Sequence, residues 1–440
     1  MDLSGSETSS KNGEHLIHRF ILYIGRMFRI DARYFAKNTV IQLLSYLLSV
    51  CRGLVTGYLV ARLLTPRTYG GYSLVIDIVG IVSLLTLPGM ESAMARDISQ
   101  RGREHAALRF SIFWNTILSL SGIFVLLSII PFLHFWNQQS LWPLFFAAAF
   151  LFIPNNIGQT FFSAIITGTG AFTKSLKVAT LSSLLVVIGV LIALWFTHSA
   201  VIIYVLVVGI PSFLSLWMLR REIHTFPSRE KTWRVIRYAS FLSINSIPFA
   251  IAWYFDGFLV TAFFGLKNLA LFQVAILIPE QVKALYKSIM PISYSRQARA
   301  NDSLELRKKL RRIVFLGTCI MLVGIALYCA AAQWIMQILF PNYDTASLTL
   351  LTRLMALSVA TLPSMLFSQF FEAQGFIREQ RWIQWLTTGL YIILLVLLIP
   401  RFGPLGAVIC RLTYRIFGSL LSLLFIYIAP IRKSQISDPD

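Results

Sequence analysis

Twelve long apolar stretches run through this chain of 440 residues, and each is long enough to cross a lipid bilayer as a helix. A membrane-spanning helix needs about 20 mostly apolar residues, and inside lipid it satisfies its own backbone hydrogen bonds. Only 13% of the residues are charged, about half the share usual in soluble domains. The sequence therefore predicts an all-α polytopic membrane protein with spans at 38–63, 69–95, 110–136, 141–165, 175–197, 200–219, 238–263, 268–292, 312–333, 347–371, 384–400 and 404–429.

Positive charge is concentrated in every second gap between these stretches. The formal net charge is +20, yet the gaps on the other side hold only Arg67, Lys267 and Arg401. Cytoplasmic loops of membrane proteins carry the excess of Lys and Arg, so the distribution predicts a cell-membrane protein with both termini in the cytoplasm. The densest run, RKKLRR at 307–312, then faces the anionic inner leaflet. This placement argues against nucleic-acid binding, the other common explanation of such a charge.

The two halves of the chain repeat weakly. Residues 63–73 (LLTPRTYGGYS) and 263–273 (FFGLKNLALFQ) each read as a helix end, a tight outer loop with one cation, and the start of the next helix. Such repeats predict two pseudo-symmetric six-helix bundles around a central cavity. The predicted segments are a basic amphipathic N-terminal segment at 1–37, bundles at 38–219 and 238–429, a cytoplasmic linker at 220–237 and a cytoplasmic tail at 430–440.

Little of the chain is left outside the predicted spans to perform chemistry. The predicted outer loops are short, whereas a membrane enzyme acting on lipid-linked sugars normally needs a sizeable outer loop for its catalytic groups. The four cysteines lie within apolar spans, and their spacing fits neither a metal site nor a disulfide framework. The sequence thus predicts no enzyme, no metal and no cofactor. A channel or a scaffold is the remaining alternative to a transporter.

Ionisable residues inside the predicted spans give the strongest indication of a functional site. A charge near the bilayer centre costs about 2.5–3.5 kcal/mol, so it usually faces a wet cavity or a partner. The predicted cavity cations are Arg52, Lys283, Lys287, Arg353, Arg411 and Arg415, and the buried carboxylates are Glu280, Asp256 and Asp77. The excess of cations predicts a water-filled cavity for an anion. The planar fork of arginine suits phosphate.

Each of these residues also has a structural explanation. Long side chains near a span end can reach the interface, and deep charges can pair between helices. The alternatives are an interfacial position for Arg353, Arg411 and Lys287, an interhelical ion pair for Arg52, Glu280 and Arg415, and a pair with Arg62 or Lys267 for Asp77 and Asp256.

Residues 52–100 contain GLVTGYLVARLLTPRTYGGYSLV, then a Ser/Leu-rich helix, then LPGMESAMARDIS. This stretch resembles the polysaccharide-transporter, or O-antigen flippase, family of the multidrug/oligosaccharidyl-lipid/polysaccharide exporter superfamily. The segments LFPNYDTA at 339–346 and FGPLGA at 402–407 fit the outer loops of the same family. The resemblance implies a MATE-like exporter fold. It also implies a cationic central cavity, which Arg52, Lys283 and Arg415 would match here.

The function implied by the resemblance is that of a flippase. Its substrate would be an undecaprenyl-diphosphate-linked oligosaccharide, carried from the inner to the outer leaflet by alternating access for O-antigen, capsule or exopolysaccharide synthesis. Further implied partners are the bilayer and other glycan-assembly membrane proteins. Glu280, Asp256 and Asp77 are candidates for coupling to H⁺ or Na⁺, and a flippase without a coupling ion fits as well. The alternative is another exporter of this fold, either a lipid II flippase or a multidrug or cation antiporter.

Overall fold

The computed structural model describes residues 32–135, 138–227, 233–298, 303–373 and 376–428. The predicted tail at 430–440, most of the segment 1–37 and part of the linker 220–237 lie outside these residues. The α-helices of the described part are α1 (Ala32–Leu63), α2 (Pro66–Ser83), α3 (Met90–His105), α4 (Leu108–Phe135), α5 (Trp142–Thr169), α6 (Phe172–Phe196), α7 (Ala200–Tyr204), α8 (Ile210–Ile223), α9 (Trp233–Phe264), α10 (Leu266–Ala298), α11 (Ser303–Leu339), α12 (Thr345–Leu357), α13 (Met365–Ala373), α14 (Ile377–Phe402) and α15 (Pro404–Ile428).

Eleven helical stretches of the described residues are long and apolar enough to cross a membrane. They coincide with eleven of the twelve predicted spans. The seventh predicted span, 238–263, lies within α9, a single helix of 32 residues that is about 48 Å long at the usual helical rise. Large apolar side chains such as Trp195 (84% exposed) and Trp334 (75% exposed) point outward, where lipid is their natural solvent. The prediction of an all-α polytopic membrane protein is confirmed.

Three of the described membrane crossings depart from regular α-helix, and one of them only by the π-helical segment Val205–Gly209 between α7 and α8. The other two are interrupted by 3-10 segments. The predicted span 69–95 is divided, because α2 continues as a 3-10 turn at Leu84–Thr86 and ends at Leu87, whose φ of 57° is left-handed, before α3 begins. Pro88 and Gly89 follow at once, and a proline cannot continue the hydrogen bonding of the preceding turn. The second interruption is the 3-10 segment Ser358–Ser364 between α12 and α13, which contains Pro363. Such breaks free polar backbone and side-chain groups to face the protein interior.

Helices α1 to α8 form one half of the molecule, and α9 to α15 form the other. Within the first half, α1 packs on α6 and α5 packs on α3, α4 and α8; within the second, α14 packs on α9 and α15, and α12 packs on α10 and α11. The seam between the halves runs between α1, α2 and α3 on one side and α9 and α10 on the other. Functional groups on the faces of these five helices that meet across the seam therefore lie at the junction of the halves.

The apolar core differs along the length of the bundle. We call the end at which α3, α8 and α10 end and α4, α9 and α11 begin the basic end. At the opposite end one core spans both halves and includes Tyr69, Leu269 and Phe340. Toward the basic end, one core around Phe161 lies mainly in the first half and another around Phe370 in the second. The core around Phe161 also includes Val235 and Ala239 of α9, so apolar contacts join the halves at both ends.

Two glycines set how closely the halves approach. A Cβ atom at Gly70 would lie 1.9 Å from the carbonyl oxygen of Leu266, and one at Gly257 would lie 2.1 Å from Oδ2 of Asp77. Both distances are far below van der Waals contact. The crossing at Gly70 requires glycine because the nearest atom is backbone, whereas a side chain at residue 257 would displace the carboxylate of Asp77. Because Gly257 has no side chain, the carboxylate of Asp77, a residue of the first half, lies against the backbone of α9.

Candidate functional site

A buried ion pair joins α9 to α15 in the second half. Nε of Arg411 lies 2.5 Å from Oδ2 of Asp256, and the phenol of Tyr391 donates to the same oxygen at 2.9 Å. The guanidinium also donates to the backbone carbonyl of Trp253 at 3.2 Å and lies 4.1 Å from the centroid of its ring. The side chains of Arg411 and Asp256 are 3% and 1% exposed. The pair is shielded from solvent, but it does not satisfy the whole guanidinium, since Nη1 of Arg411 is buried without a hydrogen-bond partner.

Glu280 extends this pair into a network that we call the C-half cluster. Its carboxylate contacts Arg415, accepts a hydrogen bond from Lys283 at 3.1 Å, and lies 3.7 Å from NH1 of Arg411. The local helical spacing explains the geometry, because Lys283 follows Glu280 by one turn of α10 and Arg411 and Arg415 are one turn apart on α15. NH1 of Arg415 also donates to Oγ of Ser358 at 2.7 Å, a hydroxyl that the 3-10 interruption presents.

The C-half cluster is therefore largely neutralised from within. Among the described residues, three cations (Arg411, Arg415 and Lys283) share two carboxylates (Asp256 and Glu280). The interhelical ion pair that was one explanation of Glu280 and Arg415 is present. For Asp256 the suggested pairing with Arg62 or Lys267 is wrong, since its cationic partner is Arg411.

Asp77 lies at the seam beside this cluster. Its Oδ2 accepts a hydrogen bond from the side-chain amide of Gln273 at 3.0 Å, and it is 8% exposed. It lines a cavity of about 320 Å³ between α1, α2 and α10, together with Thr56 and Gln281. No ion pair with Arg62 or Lys267 is formed by Asp77 in the described part of the chain, and Arg62 instead contacts the hydroxyl of Tyr58.

Arg52 occupies a different place, a cavity of about 300 Å³ inside the first half that we call the N-half cavity. Helices α1, α5, α6 and α8 enclose it. NH1 of Arg52 donates to Oγ of Ser182 at 3.1 Å. Ser163 on the wall contacts Glu91, but within the described ranges no carboxylate forms an ion pair with Arg52. An interhelical ion pair, the alternative explanation of Arg52, is thus absent from the described residues.

Hydroxyl and amide groups dominate the polar lining of the N-half cavity. Several belong to one stripe of α1, since Gln42, Ser45, Ser49 and Arg52 recur every three or four residues and so share a helical face. The other polar lining groups come from Tyr46, Gln159, Ser163, Thr167, Ser175, Ser182 and Ser215. Such a lining can donate to and accept from a hydroxyl-rich molecule, while Arg52 supplies a fixed positive charge.

The two remaining predicted cations form no ion pair with the C-half cluster among the described residues and do not line the N-half cavity. Nε of Arg353 donates to the backbone carbonyl of Cys329 at 2.9 Å, and the residue lines an open cavity of about 700 Å³ beside the loop between α11 and α12. Lys287 is exposed one turn beyond Lys283 on α10. The structure therefore brings Lys283, Arg411 and Arg415 together and keeps Arg52 and Arg353 separate from them.

Several contributing residues were not identified from the sequence. The ring centroid of Trp253 lies 3.6 Å from Nζ of Lys283. Tyr391 donates a hydrogen bond to Asp256, and Ser358 accepts one from Arg415. Nothing in their sequence surroundings marks them. The polar stripe of α1 is different, because its regular spacing within an apolar span was a readable signal of a polar cavity.

The sequence matches a family model described as "Polysaccharide biosynthesis protein" over residues 35–290, which is more than half of the chain. No curated protein matches the chain. Among solved structures, the lipid II flippase MurJ in an inward closed conformation superposes with a TM-score of 0.70 at 12% sequence identity, covering 89% of this chain and 87% of that one.

Two further solved structures have the same fold. An inward-facing multidrug resistance MATE family transporter of the MOP superfamily gives a TM-score of 0.63 at 16% identity, covering 89% of this chain and 98% of that one. A MOP superfamily transporter from Pyrococcus furiosus, described as having a binding pocket of reverse polarity, gives 0.60 at 17% identity, with coverages of 90% and 95%. At these identities the likeness shows the fold alone, and the predicted MATE-like exporter fold is confirmed.

Proposed function

Since this chain belongs to the polysaccharide biosynthesis family, we propose that it is a flippase for a polyprenyl-diphosphate-linked oligosaccharide. In this proposal the basic end faces the cytoplasm, the protein lies in the cell membrane, and the substrate moves from the inner to the outer leaflet. The product would serve the assembly of a surface polysaccharide. The chain's own residues bind and carry the substrate without changing its covalent bonds.

The observation that carries the proposal is the uncompensated charge of Arg52 in the N-half cavity. Arg52 is half-buried, and a cation within a membrane span that has no ion-pair partner among the described residues is costly. An anionic group entering the cavity would lower that cost. The guanidinium fork matches the oxygens of a diphosphate. The serine, threonine and glutamine groups around it suit the hydroxyls of the attached sugars.

The seam between the halves suits alternating access. At the end opposite the basic loops, the side-chain amide of Asn342 donates to the backbone carbonyl of Arg62 at 2.8 Å. At the basic end, Oγ of Ser243 accepts from the backbone N–H of Gly89 at 2.9 Å. Each bond joins one half to the other. In our proposal the two contacts open in turn while the polyprenyl tail remains in lipid.

We place Asp77 first among the three candidates for ion coupling. Asp256 and Glu280 already pair with arginines, whereas the described hydrogen-bond partner of Asp77 is the neutral amide of Gln273. If H⁺ or Na⁺ drives transport, Asp77→Asn should remove the response of the transport rate to an imposed gradient of that ion. A response that persists in Asp77→Asn would exclude Asp77 as the coupling group.

The proposed function is tested by transport in proteoliposomes that contain a polyprenyl-diphosphate oligosaccharide in one leaflet. Arg52→Ala should lower the initial rate by about 10- to 100-fold, because a charge-assisted hydrogen bond is worth about 1.5–3 kcal/mol. Arg52→Lys should retain an intermediate rate, since it keeps the charge and loses the fork.

The matched control for this test is Arg401→Ala, which removes an exposed arginine at the end of α14 and should leave the rate unchanged. Full activity of Arg52→Ala would refute the assignment of Arg52. Transport of lipid II or of a cationic drug by the unaltered protein, without transport of the oligosaccharide lipid, would favour the alternative exporters instead.

A further inference from the structure

Another polar cavity, distinct from those described above, lies at the basic end, in the seam between α3 of the first half and the start of α9. Its volume is about 540 Å³. It shares no lining residue with the N-half cavity. Three exposed arginines line it, namely Arg96 from α3 and Arg234 and Arg237 from α9. A ligand that contacts all three arginines therefore contacts both halves of the protein.

The charge of this cavity is positive. Among the described lining residues the carboxylate is that of Asp97, which accepts a hydrogen bond from the backbone N–H of Ala107 at 3.0 Å and lies 3.6 Å from Nε of Arg101. That carboxylate is therefore engaged outside the cavity. Among the residues that the structure describes, no carboxylate pairs with Arg234 or Arg237. The guanidinium of Arg96 lies 4.8 Å from the ring centroid of Tyr238, which holds it at the cavity wall.

Aromatic residues beside the arginines indicate the level of the lipid headgroups. Trp233 lines the cavity and is 55% exposed. Its ring lies 4.9 Å from that of Trp114 and 5.5 Å from that of Phe110. Tryptophan side chains concentrate where the hydrocarbon meets the headgroups. The arginines of this cavity therefore lie at the depth at which lipid phosphates are found.

We propose that this cavity binds the phosphodiester of an anionic phospholipid, and that the bound lipid bridges the two halves. Basic pockets between membrane helices suit phospholipid headgroups of negative net charge. A zwitterionic lipid brings an ammonium group along with its phosphate, and three arginines repel that group. The binding is separate from the transported substrate, because it needs neither Arg52 nor the C-half cluster.

The experiment measures lipid retained by the purified full-length protein in native mass spectrometry, titrated with phosphatidylglycerol and with phosphatidylcholine of the same acyl chains. The unaltered protein should bind phosphatidylglycerol preferentially. The triple variant Arg96→Gln, Arg234→Gln, Arg237→Gln should need at least about tenfold more phosphatidylglycerol for the same occupancy, because each arginine contributes to the attraction. The triple Arg-to-Lys variant should keep most of the preference.

The matched control is Lys308→Gln, Lys309→Gln, Arg312→Gln, which removes three exposed cations from the same end of the molecule outside the cavity. It should bind phosphatidylglycerol as the unaltered protein does. If both triple Gln variants lost the same amount of phosphatidylglycerol binding, the effect would come from the general surface charge, and the proposed binding site would be refuted. Equal binding of phosphatidylcholine, or complete competition by inorganic phosphate at the lipid's own concentration, would overturn an anionic lipid as the ligand.

Discussion

The N-half cavity contains a half-buried arginine and the C-half cluster contains two buried ones, and the surroundings of these charges differ. In the C-half cluster Arg411 and Arg415 contact the carboxylates of Asp256 and Glu280. In the N-half cavity Arg52 donates to the hydroxyl of Ser182 and has no ion-pair partner among the described residues. A count of buried cations is thus a poor measure of the capacity to bind an anion, which depends on what already surrounds each charge.

The energetic consequences of the two arrangements also differ. A buried ion pair is seldom more stabilising than apolar residues of the same volume, but removing one partner leaves a charge that the interior cannot solvate. The C-half cluster should therefore matter first for folding. Replacing a lone cation in a polar cavity by a neutral residue leaves no other charge without a partner. The N-half cavity should therefore matter first for binding.

The largest effect on stability is expected from replacing one partner of the Asp256–Arg411 ion pair. Asp256→Asn and Arg411→Met should each destabilise the protein by about 3–5 kcal/mol, since each leaves one buried charge without its partner. The measurement is the melting temperature in detergent together with the yield of monodisperse protein.

The double variant Asp256→Asn, Arg411→Met separates a structural pair from a ligand-binding one. If the pair is structural, the double variant should recover most of the stability and the transport lost in the single variants. Recovery of stability without recovery of transport would assign Arg411 a direct part in binding. In that case the C-half cluster would bind substrate as well, and its role would differ less from that of the N-half cavity.

The features of both regions that depend on residues close in the chain were predictable from the sequence. Spacings of three and four residues place Lys283 with Glu280 and Arg415 with Arg411, because such neighbours share a helical face. The helix break after α2 was likewise predictable from Pro88 and Gly89. These features depend only on residues close in the chain.

The partners across helices could not be predicted in the same way. Asp256 and Arg411 are distant in sequence, and they meet because α9 packs on α14 and α14 on α15. Asp77 reaches α9 because Gly257 leaves room for its carboxylate. Such pairings follow from which helices pack together, which the periodicity of a single helix does not contain. The polar stripe of α1 is the exception, since it lies wholly within one helix.

A smaller effect is expected from making the N-half cavity resemble the C-half cluster. Ser182 is 2% exposed and already bonds to Arg52, so Ser182→Asp would give this arginine a carboxylate partner. Transport should fall by about 10- to 100-fold, because the new ion pair competes with the substrate for the guanidinium. The melting temperature should stay the same or rise, since a stranded charge becomes paired.

Ser182→Asn is the matched control for this substitution, as it has nearly the same shape without the charge. It should retain most of the transport rate. A similar loss in Ser182→Asn and Ser182→Asp would show that the size of the side chain, and not the compensation of Arg52, is responsible.

The smallest effects are expected from single hydroxyls of the α1 stripe. Oγ of Ser45 donates to the carbonyl of Ile41 at 2.9 Å, and Oγ of Ser49 donates to that of Ser45 at 3.0 Å. Both serines line the N-half cavity, and a hydroxyl oxygen that donates one hydrogen bond can still accept another from a sugar hydroxyl. Ser45→Ala and Ser49→Ala should each weaken substrate binding by about two- to tenfold, since a neutral hydrogen bond contributes about 0.5–1.5 kcal/mol.

Ser240→Ala removes a hydroxyl with the same backbone bond, to Ile236 at 2.9 Å, from a position outside the N-half cavity, so it isolates the contribution of the lining. Affinity for the oligosaccharide lipid should be unchanged in this variant. Equal weakening in all three alanine variants would point to a general effect on helix packing. Weakening confined to Ser45 and Ser49, and present for the glycosylated lipid but absent for the bare polyprenyl diphosphate, would assign the hydroxyl stripe to sugars and leave Arg52 to the diphosphate.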